Sequence, residues 1–506
     1  MFELLFDAAF PRSPAALRRA EQRLRQDARS SVAGRKRPPD DSGLPGSTLT
    51  ASFSPELTAW LLARYPRAIR PVDYPGDWGP EADELFPLLV TPAEADGYLS
   101  PRLDRAAWLL LVTGGRDPFR WVVEALCRMR ATPGLRDRLT ATLPLDITWR
   151  LGQSPSRTLL RFPGRRRHTG PIERSVDLPA LLGSTLPRPA ALDRRQTANL
   201  IAIARETLAV RGRETDPVTY ADPRDVTLYR LERGTDVALF GLEPSRRLAV
   251  ETYVGFVAAR NGIPVAYGGG WSFFGRLEIG VNLFPEFRGG ESAWLFGTVL
   301  RVYRHRFRAR QFLVDPYQIG AGNTEAIQSG AFWFYYRLGF RPTDSTLRRL
   351  ADREAQRLAA KSSARSSPSL LRRLAGAPLF LNARTGRPTG AWTAVAPEPT
   401  ALALAVTRGL AHRSAGDRSR AEARAVNRAR RLLHVRDQSR WTADEREWFT
   451  RMAPLVALTP GLERRTRADR DALLAVIRAK GGRSERRYAL GLQRLVWWRE
   501  ILMRMS

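Results

Sequence analysis

The sequence predicts an α/β fold with a mixed sheet, flanked by largely helical N- and C-terminal regions. Two observations predict it. Short runs rich in β-branched and aromatic residues follow one another between residues 226 and 284, separated by turn signals. Before and after this stretch, apolar residues recur every three or four positions, which is typical of amphipathic helices. A chain of 506 residues has room for several such regions and a sizeable core.

The first 200 residues are predicted to comprise a flexible segment and a helical domain. We assign residues 1–52 to the flexible segment, because its second half is rich in Ser, Pro, Gly and charge and buries too little apolar area to offset the entropy of ordering. Residues 53–200 are assigned to the helical domain, in which Leu57, Trp60 and Leu61 have helical spacing.

The sheet is predicted within residues 201–345. Asn261-Gly262 lies between two strand-like runs and indicates a hairpin, because a type I′ turn needs positive φ at both central residues. Over the run from 277 to 284, Leu277, Ile279, Val281 and Leu283 occupy every second position and share one face, which is typical of a strand with two different faces. The predicted strands are Val226–Tyr229, Val237–Phe240, Tyr253–Val257, Val265–Tyr267, Leu277–Phe284 and Phe312–Val314.

Two helices are predicted in the same domain. The first begins near Glu291, and its apolar residues step by three and four as far as Phe307. The second spans roughly Glu325–Leu338, and Gly339 ends it. Residues 346–506 are then expected to form a basic, mostly helical C-terminal region.

The formal net charge of +31 bears on the partners of the chain. Clustered cations gain affinity for phosphate through counterion release, so contact with RNA or another nucleic acid is one interpretation. The other is a solvated basic surface in a chain that uses Arg almost to the exclusion of Lys. Lysine occurs only at Lys36, Lys361 and Lys480.

Cysteine and histidine predict neither a disulfide nor a metal site. Cys127 is the single cysteine, which fits a reducing, cytoplasmic setting, and the four histidines are scattered without metal-ligand spacing. The longest apolar runs, such as Ala106–Val112, fall short of the about 18 residues that a membrane span requires. The N-terminus carries acids where a signal peptide is basic. We therefore expect a cytoplasmic chain without metal or membrane insertion.

Two segments carry the candidate chemistry. The first is Phe284-Pro-Glu-Phe-Arg-Gly-Gly-Glu-Ser-Ala293, a strand end, a Gly-rich turn and a helix start. This arrangement leaves backbone N–H groups free to receive a pyrophosphate. The second is Ala331-Phe-Trp-Phe-Tyr-Tyr-Arg-Leu-Gly-Phe340, which supplies Tyr335 as a candidate proton donor.

Together these segments resemble the signature of the GNAT superfamily of acyltransferases, over roughly residues 224–345. In that family an Arg-Gly-x-Gly-x-Gly/Ala turn holds the pyrophosphate of acyl-coenzyme A, and an Asn precedes an Ala, a Tyr and a Gly-Phe pair. The resemblance implies a GNAT-like domain that takes acetyl-CoA or another acyl-CoA. The residues that it places at the coenzyme are Arg288, Gly289, Gly290, Ser292, Ala293 and Asn323.

Glu291 departs from the family pattern because it occupies the central Gly position of the turn. A carboxylate facing the phosphates would repel them at a cost on the order of 1 kcal/mol or more, unless the side chain turns outward. The alternative interpretation is a capping residue at the helix start.

Two residues are candidate catalysts. By resemblance, Tyr335 protonates the leaving thiolate; the alternative is a core aromatic beside its aromatic neighbours. Glu278 shares a strand face with Asn282, and the same strand of the family often supplies a general base. Burial beside Phe284 would raise its pKa toward neutrality, whereas the alternative is an ion pair with one of the many arginines.

The resemblance therefore implies an N-acyltransferase that moves an acyl group, such as acetyl, from acyl-CoA to a small-molecule or peptide amine. Two alternatives stay open. One is an aminoacyl transferase of the same fold that draws its donor from charged tRNA, in which Glu291 is harmless because no pyrophosphate binds. The other is a non-catalytic, Arg-rich nucleic-acid-binding module on a GNAT scaffold.

Overall fold

The computed structural model describes residues 1–98, 103–164, 167–361, 363–387, 392–413 and 416–506. It confirms an α/β fold with a mixed sheet. Within the described residues the strands form a three-stranded sheet of order β1-β3-β2 and an eight-stranded sheet of order β10-β11-β9-β8-β7-β6-β5-β4. The strands are β1 Thr48–Ser52, β2 Ile69–Pro71, β3 Asp146–Arg150, β4 Ala221–Arg230, β5 Thr235–Leu242, β6 Thr252–Arg260, β7 Ile263–Phe273, β8 Arg276–Leu283, β9 Gln311–Val314, β10 Arg341–Pro342 and β11 Leu379–Asn382.

Helices precede, interrupt and follow the large sheet, and none of those described is both long and apolar enough to cross a membrane. Up to residue 219 they are α1 Phe2–Ala9, α2 Pro14–Val32, α3 Pro55–Arg64, α4 Pro80–Leu85, α5 Pro92–Tyr98, α6 Arg105–Thr113, α7 Pro118–Arg128, α8 Pro133–Thr140, α9 Leu178–Gly183, α10 Arg194–Ala209 and α11 Asp216–Thr219. Thereafter they are α12 Ser292–Phe307, α13 Pro316–Ile319, α14 Thr324–Ser329, α15 Ala331–Arg337, α16 Ser345–Ala360, α17 Pro368–Leu374, α18 Pro399–His412, α19 Arg418–Leu432, α20 Ala443–Leu458, α21 Arg467–Lys480, α22 Glu485–Arg494 and α23 Val496–Met505.

The chain divides into two compact units. The first comprises residues 1–170, 194–219 and 261–264, and its small antiparallel sheet packs with helices that bury one apolar stripe each. In α7, for example, Phe119, Val122 and Leu126 step by three and four, and all three are buried. Its core includes Leu57, Leu61, Phe86, Leu109, Phe119, Val122, Leu126, Ile147 and Trp149.

Residues 1–52 differ from the flexible segment that the composition predicts. Helix α2 is amphipathic, because Leu17, Leu24 and Ala28 lie on one face and are buried. Strand β1 pairs with β3 over five residue pairs, from Thr48 with Arg150 to Ser52 with Asp146. The Ser, Pro and Gly residues of this segment are therefore compatible with turns between ordered elements, which composition does not distinguish from a linker.

The second unit comprises residues 171–193, 220–260 and 265–506, and it contains the large sheet. Strands β8 and β9 run parallel, joined by α12, since parallel neighbours need a crossover connection. Their pairing extends only from Arg276 with Gln311 to Glu278 with Leu313, whereas β8 continues to Leu283. Toward their C-terminal ends the two strands are thus no longer paired with each other, and a cavity lies there.

The C-terminal helices of this unit build a core of their own around aromatic residues. Phe273 and Phe274, at the end of β7, pack into that core, so most of the predicted sheet domain (201–345) and the C-terminal region (346–506) belong to one compact unit, whereas 201–219 and 261–264 belong to the first unit. Its buried residues include Trp448, Phe449, Met452, Val456, Leu473, Ile477, Tyr488, Leu492 and Trp498.

Three local predictions have clear outcomes. The hairpin is confirmed, because Asn261 and Gly262 have φ angles of 52° and 80°. The single helix predicted over Glu325–Leu338 is wrong: Gly330, at φ 65°, ends α14, and α15 starts after it. Strand β11 was not predicted, although it pairs with β9 inside the large sheet.

Candidate active site

A cavity of about 350 Å³ opens where β8 and β9 are no longer paired, and we call it the α12 cavity. It combines the end of β8, the start of α12 and the helices α13 to α15. Its lining residues are Val281, Asn282, Leu283, Arg288, Ser292, Gln318, Asn323, Glu325, Ala326, Ser329, Ala331, Phe334 and Tyr335.

The turn before α12 contributes unpaired backbone amides. The N–H groups of Arg288 and Gly290 donate to Pro285 O (3.2 Å) and Phe287 O (3.2 Å), and the first helical bond runs from Leu295 N to Glu291 O (2.8 Å). Across the described part of the chain, the N–H groups of the residues between these bonds have no acceptor. They belong to Gly289, Glu291, Ser292, Ala293 and Trp294.

Gly289 shapes this turn. Its φ is 89°, in the left-handed region, and a Cβ built there would contact nothing within 4 Å. A side chain would therefore be disfavoured by the backbone conformation and not by lack of space. The amides that follow lie at the positive end of a 16-residue helix.

The Glu291 side chain points into the protein and is not part of the lining of the α12 cavity. It is 3% exposed, and its carboxylate is paired with Arg233 and, at 2.9 Å, with Arg260. It also accepts the N–H of Glu173 at 3.0 Å. Glu291 makes no side-chain cap on α12, so the capping interpretation is wrong.

Two arginines therefore neutralise the carboxylate that departs from the family pattern. Burial alone would raise the pKa of Glu291, but the hydrogen bonds from Arg233 and Glu173, with the charges of Arg260 and Arg233, lower the pKa below its ordinary value. The group stays ionised and balanced within the fold. Direct repulsion of an anion in the α12 cavity is correspondingly reduced.

The polar residues of the cavity wall differ in the partners that they have within the protein. The Arg288 side chain is 51% exposed and forms an ion pair with the exposed Glu325 at 2.5 Å. Asn323 is the N-cap of α14: its Oδ1 accepts the N–H of Ala326 at 3.0 Å, and its Nδ2 donates to Tyr317 O at 3.2 Å. The Asn323 amide thus has a local structural task at the position that the sequence assigns to the coenzyme.

Tyr335 lies in α15, is 3% exposed and lines the cavity. Its ring contacts Phe296, Phe334 and Phe340 with centroid separations of 5.2–5.9 Å. Its hydroxyl has no hydrogen-bond partner in the described part of the chain. Burial raises the pKa of the phenol well above its ordinary value, so it is protonated at neutral pH. The residue is both a core aromatic and a wall of the cavity.

Glu278 does not line the α12 cavity. It lies four residues before Asn282 on β8, which corresponds to about 13 Å along a strand. Burial, with a smaller contribution from the charge of Asp315, raises the pKa of Glu278 to about 6. No ion pair to Glu278 occurs in the described ranges; Arg276 pairs instead with Glu251 at 2.9 Å.

The sheet face that carries Glu278 is aromatic. Glu278 is directly opposite Trp271 in the β7–β8 register, and the Trp271 ring stacks on Tyr253 with centroids 4.3 Å apart. Further along the same face, Gly280 lies next to Gln318, whose Nε2 would be 3.4 Å from a Cβ at that glycine. Glycine at this position thus leaves room for the Gln318 side chain on the face between Glu278 and the cavity.

Four of the residues that the sequence singles out line the α12 cavity: Arg288, Ser292, Asn323 and Tyr335. Gly289, Gly290 and Ala293 form the adjoining turn, and Glu278 lies outside. Sequence reasoning missed Gln318 in the cavity wall and the partners of Glu291. Arg233 and Arg260 precede Glu291 by 58 and 31 residues in a chain rich in arginine, and no local pattern distinguishes them.

Comparison of the chain with known proteins identifies no relative. No protein-family model, curated protein or solved structure matches the chain.

Proposed function

We propose that this chain is an N-acyltransferase of the GNAT type, which transfers an acyl group from acyl-CoA to an amine. One observation carries the proposal: unpaired amides at the start of α12 border a cavity whose wall also contains Tyr335. The motif resemblance in both segments supports the same function.

The anion-binding part of the proposal rests on the turn at 288–294. The amides of Ser292, Ala293 and Trp294 are directed outward from the helix start, as in other phosphate-binding helix termini. Arg288, half exposed at the rim, adds a positive charge that can exchange Glu325 for a phosphate. Pairing of Glu291 with Arg233 and Arg260 removes the strongest objection to an anion here.

The acid–base part of the proposal uses two groups. Attack of a neutral amine on the thioester carbonyl forms the new C–N bond, and cleavage of the C–S bond releases a thiolate. Tyr335, held protonated by burial, donates its proton to that sulfur. Glu278, with a pKa of about 6, is ionised at neutral pH and accepts the proton that the amine loses, directly or through water.

The surroundings of Glu278 also support a cationic amine as the acceptor. Glu278, Asp315 and Glu251 bring acidic groups to one region of a strongly basic protein. The stacked Tyr253–Trp271 pair offers aromatic surface, which attracts an ammonium group before it is deprotonated.

Ser292 offers a sharp test, because it lies at the first position of α12 and lines the cavity. Ser292→Asp places a negative charge beside the proposed pyrophosphate while favouring the helix start; Ser292→Asn is the neutral control of similar size. We expect acetyl-CoA to stabilise the wild type and Ser292→Asn by about 2.7 kcal/mol at 100 times Kd, and to leave Ser292→Asp unchanged.

Thermal unfolding with and without acetyl-CoA measures this difference. A wild type that acetyl-CoA does not stabilise, or an Asp variant stabilised as much as the Asn variant, would contradict the proposal. If the wild type instead binds aminoacylated tRNA and transfers its amino acid, the tRNA-dependent alternative replaces it.

A further inference from the structure

A second cavity, lined by arginines, lies among the C-terminal helices. It has a volume of about 430 Å³ and is formed by α18, α19 and α20. We call it the arginine cavity. Its lining residues are Leu410, Arg413, Ala421, Arg424, Ala425, Asn427, Arg428, Arg431, Ala457 and Leu458.

Three of the arginines share one face of α19. Arg424, Arg428 and Arg431 are spaced by four and three residues, which places them in a row, and Arg413 at the end of α18 joins them. None of the four forms an ion pair with any described residue. By contrast, Arg418 on the same helix is paired with Glu422 at 2.6 Å.

Such a row is unfavourable without an anion, because like charges at this spacing repel each other. One of these arginines, Arg428, has an Nε that is shielded from solvent and has no hydrogen-bond partner among the described residues. A buried donor without an acceptor lowers stability, and an acceptor from a ligand or from water removes that cost. Glu422, the acidic residue nearest to Arg428 in the sequence, is paired with Arg418.

The floor of the arginine cavity is apolar. Leu410, Ala421, Ala425 and Ala457 are all buried at 5% exposure or less and form a small cluster of their own. Because Ala421 and Ala425 of α19 have small side chains, the longer arginine side chains surround a depression. The site therefore presents cationic walls over an apolar base, with Asn427 as a further hydrogen-bonding group.

We propose that the arginine cavity binds a ligand with two or more neighbouring phosphate groups. Guanidinium groups match phosphate oxygens with two parallel hydrogen bonds, and four of them around one depression balance several negative charges. The apolar floor accommodates the sugar or base that adjoins the phosphates. This chemistry is shared by a nucleic-acid backbone and by a free nucleoside polyphosphate, and it goes beyond the proposed acyl transfer.

The test compares two triple variants that lose the same charge. Arg424→Gln/Arg428→Gln/Arg431→Gln removes the row in the cavity; Arg372→Gln/Arg373→Gln/Arg420→Gln removes three exposed arginines that do not line it. Binding of a fluorescein-labelled single-stranded RNA is followed by anisotropy from about 50 to 200 mM salt. Binding is measured without acyl transfer, so the result is independent of the proposed activity.

We expect the cavity variant to weaken RNA binding at least roughly tenfold and to reduce the salt slope by about 2, as three lost phosphate contacts predict. The control is expected to weaken binding less than roughly threefold. If tripolyphosphate and ATP displace the RNA at micromolar concentration, the site serves a free polyphosphate; if only a longer RNA competes, it serves a nucleic-acid backbone.

Two results would overturn the proposal: a wild type that binds neither the RNA nor tripolyphosphate at low salt, or equal weakening in both variants, as a solvated basic surface requires. Circular dichroism and thermal unfolding check the fold of each variant. If the triple variant is unfolded, the single exposed substitutions Arg424→Gln and Arg420→Gln give the same comparison.

Discussion

The two cavities of the second unit handle charge in different ways. At the α12 cavity the charged side chains already have partners: Glu291 with Arg233 and Arg260, and Arg288 with Glu325. The groups without a partner among the described residues are there the backbone amides at the start of α12. At the arginine cavity the backbone is helical, and the four arginine side chains have no ion-pair partner in the part of the chain that the structure describes.

This difference separates two kinds of recognition. Amides fixed by a turn and a helix hold an anion in one position, which a reaction requires. Flexible guanidinium groups gain affinity from charge and counterion release and tolerate several ligand geometries. We therefore assign chemistry to the α12 cavity and charge-driven binding to the arginine cavity.

The largest effect is expected where pairing is internal and buried. Glu291→Gln removes the buried carboxylate that is paired with Arg233 and with Arg260, whose side chain is 3% exposed, so we expect the free energy of unfolding to fall by about 3 kcal/mol. Urea denaturation measures this change. Glu325→Gln is the matched control, because its ion pair with Arg288 is exposed and contributes less than about 1 kcal/mol.

Equal effects of these two substitutions would contradict this distinction between a buried and an exposed ion pair. They would mean that Glu291 is not the balanced, buried charge described above, and repulsion of an anion in the cavity would again have to be considered.

The next effect concerns the phenol. Tyr335→Phe removes one oxygen and keeps the ring contacts with Phe296, Phe334 and Phe340. We expect kcat for acyl transfer to fall about 100-fold with little change in KM or in thermal stability, because the thiolate loses its proton donor. Steady-state kinetics with acetyl-CoA and an active amine check this. An unchanged kcat would leave Tyr335 as a core aromatic alone.

A smaller, pH-dependent effect is expected for Glu278. The base acts only when ionised, and its pKa is raised to about 6, so kcat/KM should fall as the pH decreases through 6, by about tenfold at pH 5. Glu278→Gln should remove this limb of the pH profile and leave a low, flat rate. Persistence of the limb in the variant would assign it to another group.

The smallest effect is expected for Asn323, where substitutions distinguish a structural role from a role in binding the coenzyme. Asn323→Ala removes the cap of α14 and should lower the free energy of unfolding by about 1 kcal/mol. Asn323→Asp keeps an acceptor for the Ala326 N–H and should retain most of that stability. If both variants raise KM for acetyl-CoA while stability stays the same, Asn323 contacts the coenzyme and its cap is dispensable.

Much of the large sheet and of the helix that follows β8 could be predicted from the sequence, because the signals are local. Alternation placed β8, the Asn261-Gly262 pair placed the hairpin, and the Gly-rich turn before a helical pattern placed the start of α12. Ser292 and Tyr335 could be selected because the two motifs fix them within short segments.

The rest depends on contacts between distant residues. Strand β11 has only four residues, and its pairing with β9 comes from a chain segment about 65 residues later. The role of Glu291 was ambiguous because its partners, Arg233 and Arg260, come from β-sheet loops and ends elsewhere in the sequence. The break at Gly330 was missed because the apolar pattern continues through the glycine.

Hydrogen exchange of the backbone amides at 289–294, with and without acetyl-CoA, tests the central claim most directly. We predict that saturating acetyl-CoA slows exchange of these amides, since the pyrophosphate accepts their hydrogen bonds, and that the Ser292→Asp variant shows no such slowing. Unchanged exchange at 289–294 in a protein that demonstrably binds acetyl-CoA would contradict the claim that these amides hold the donor.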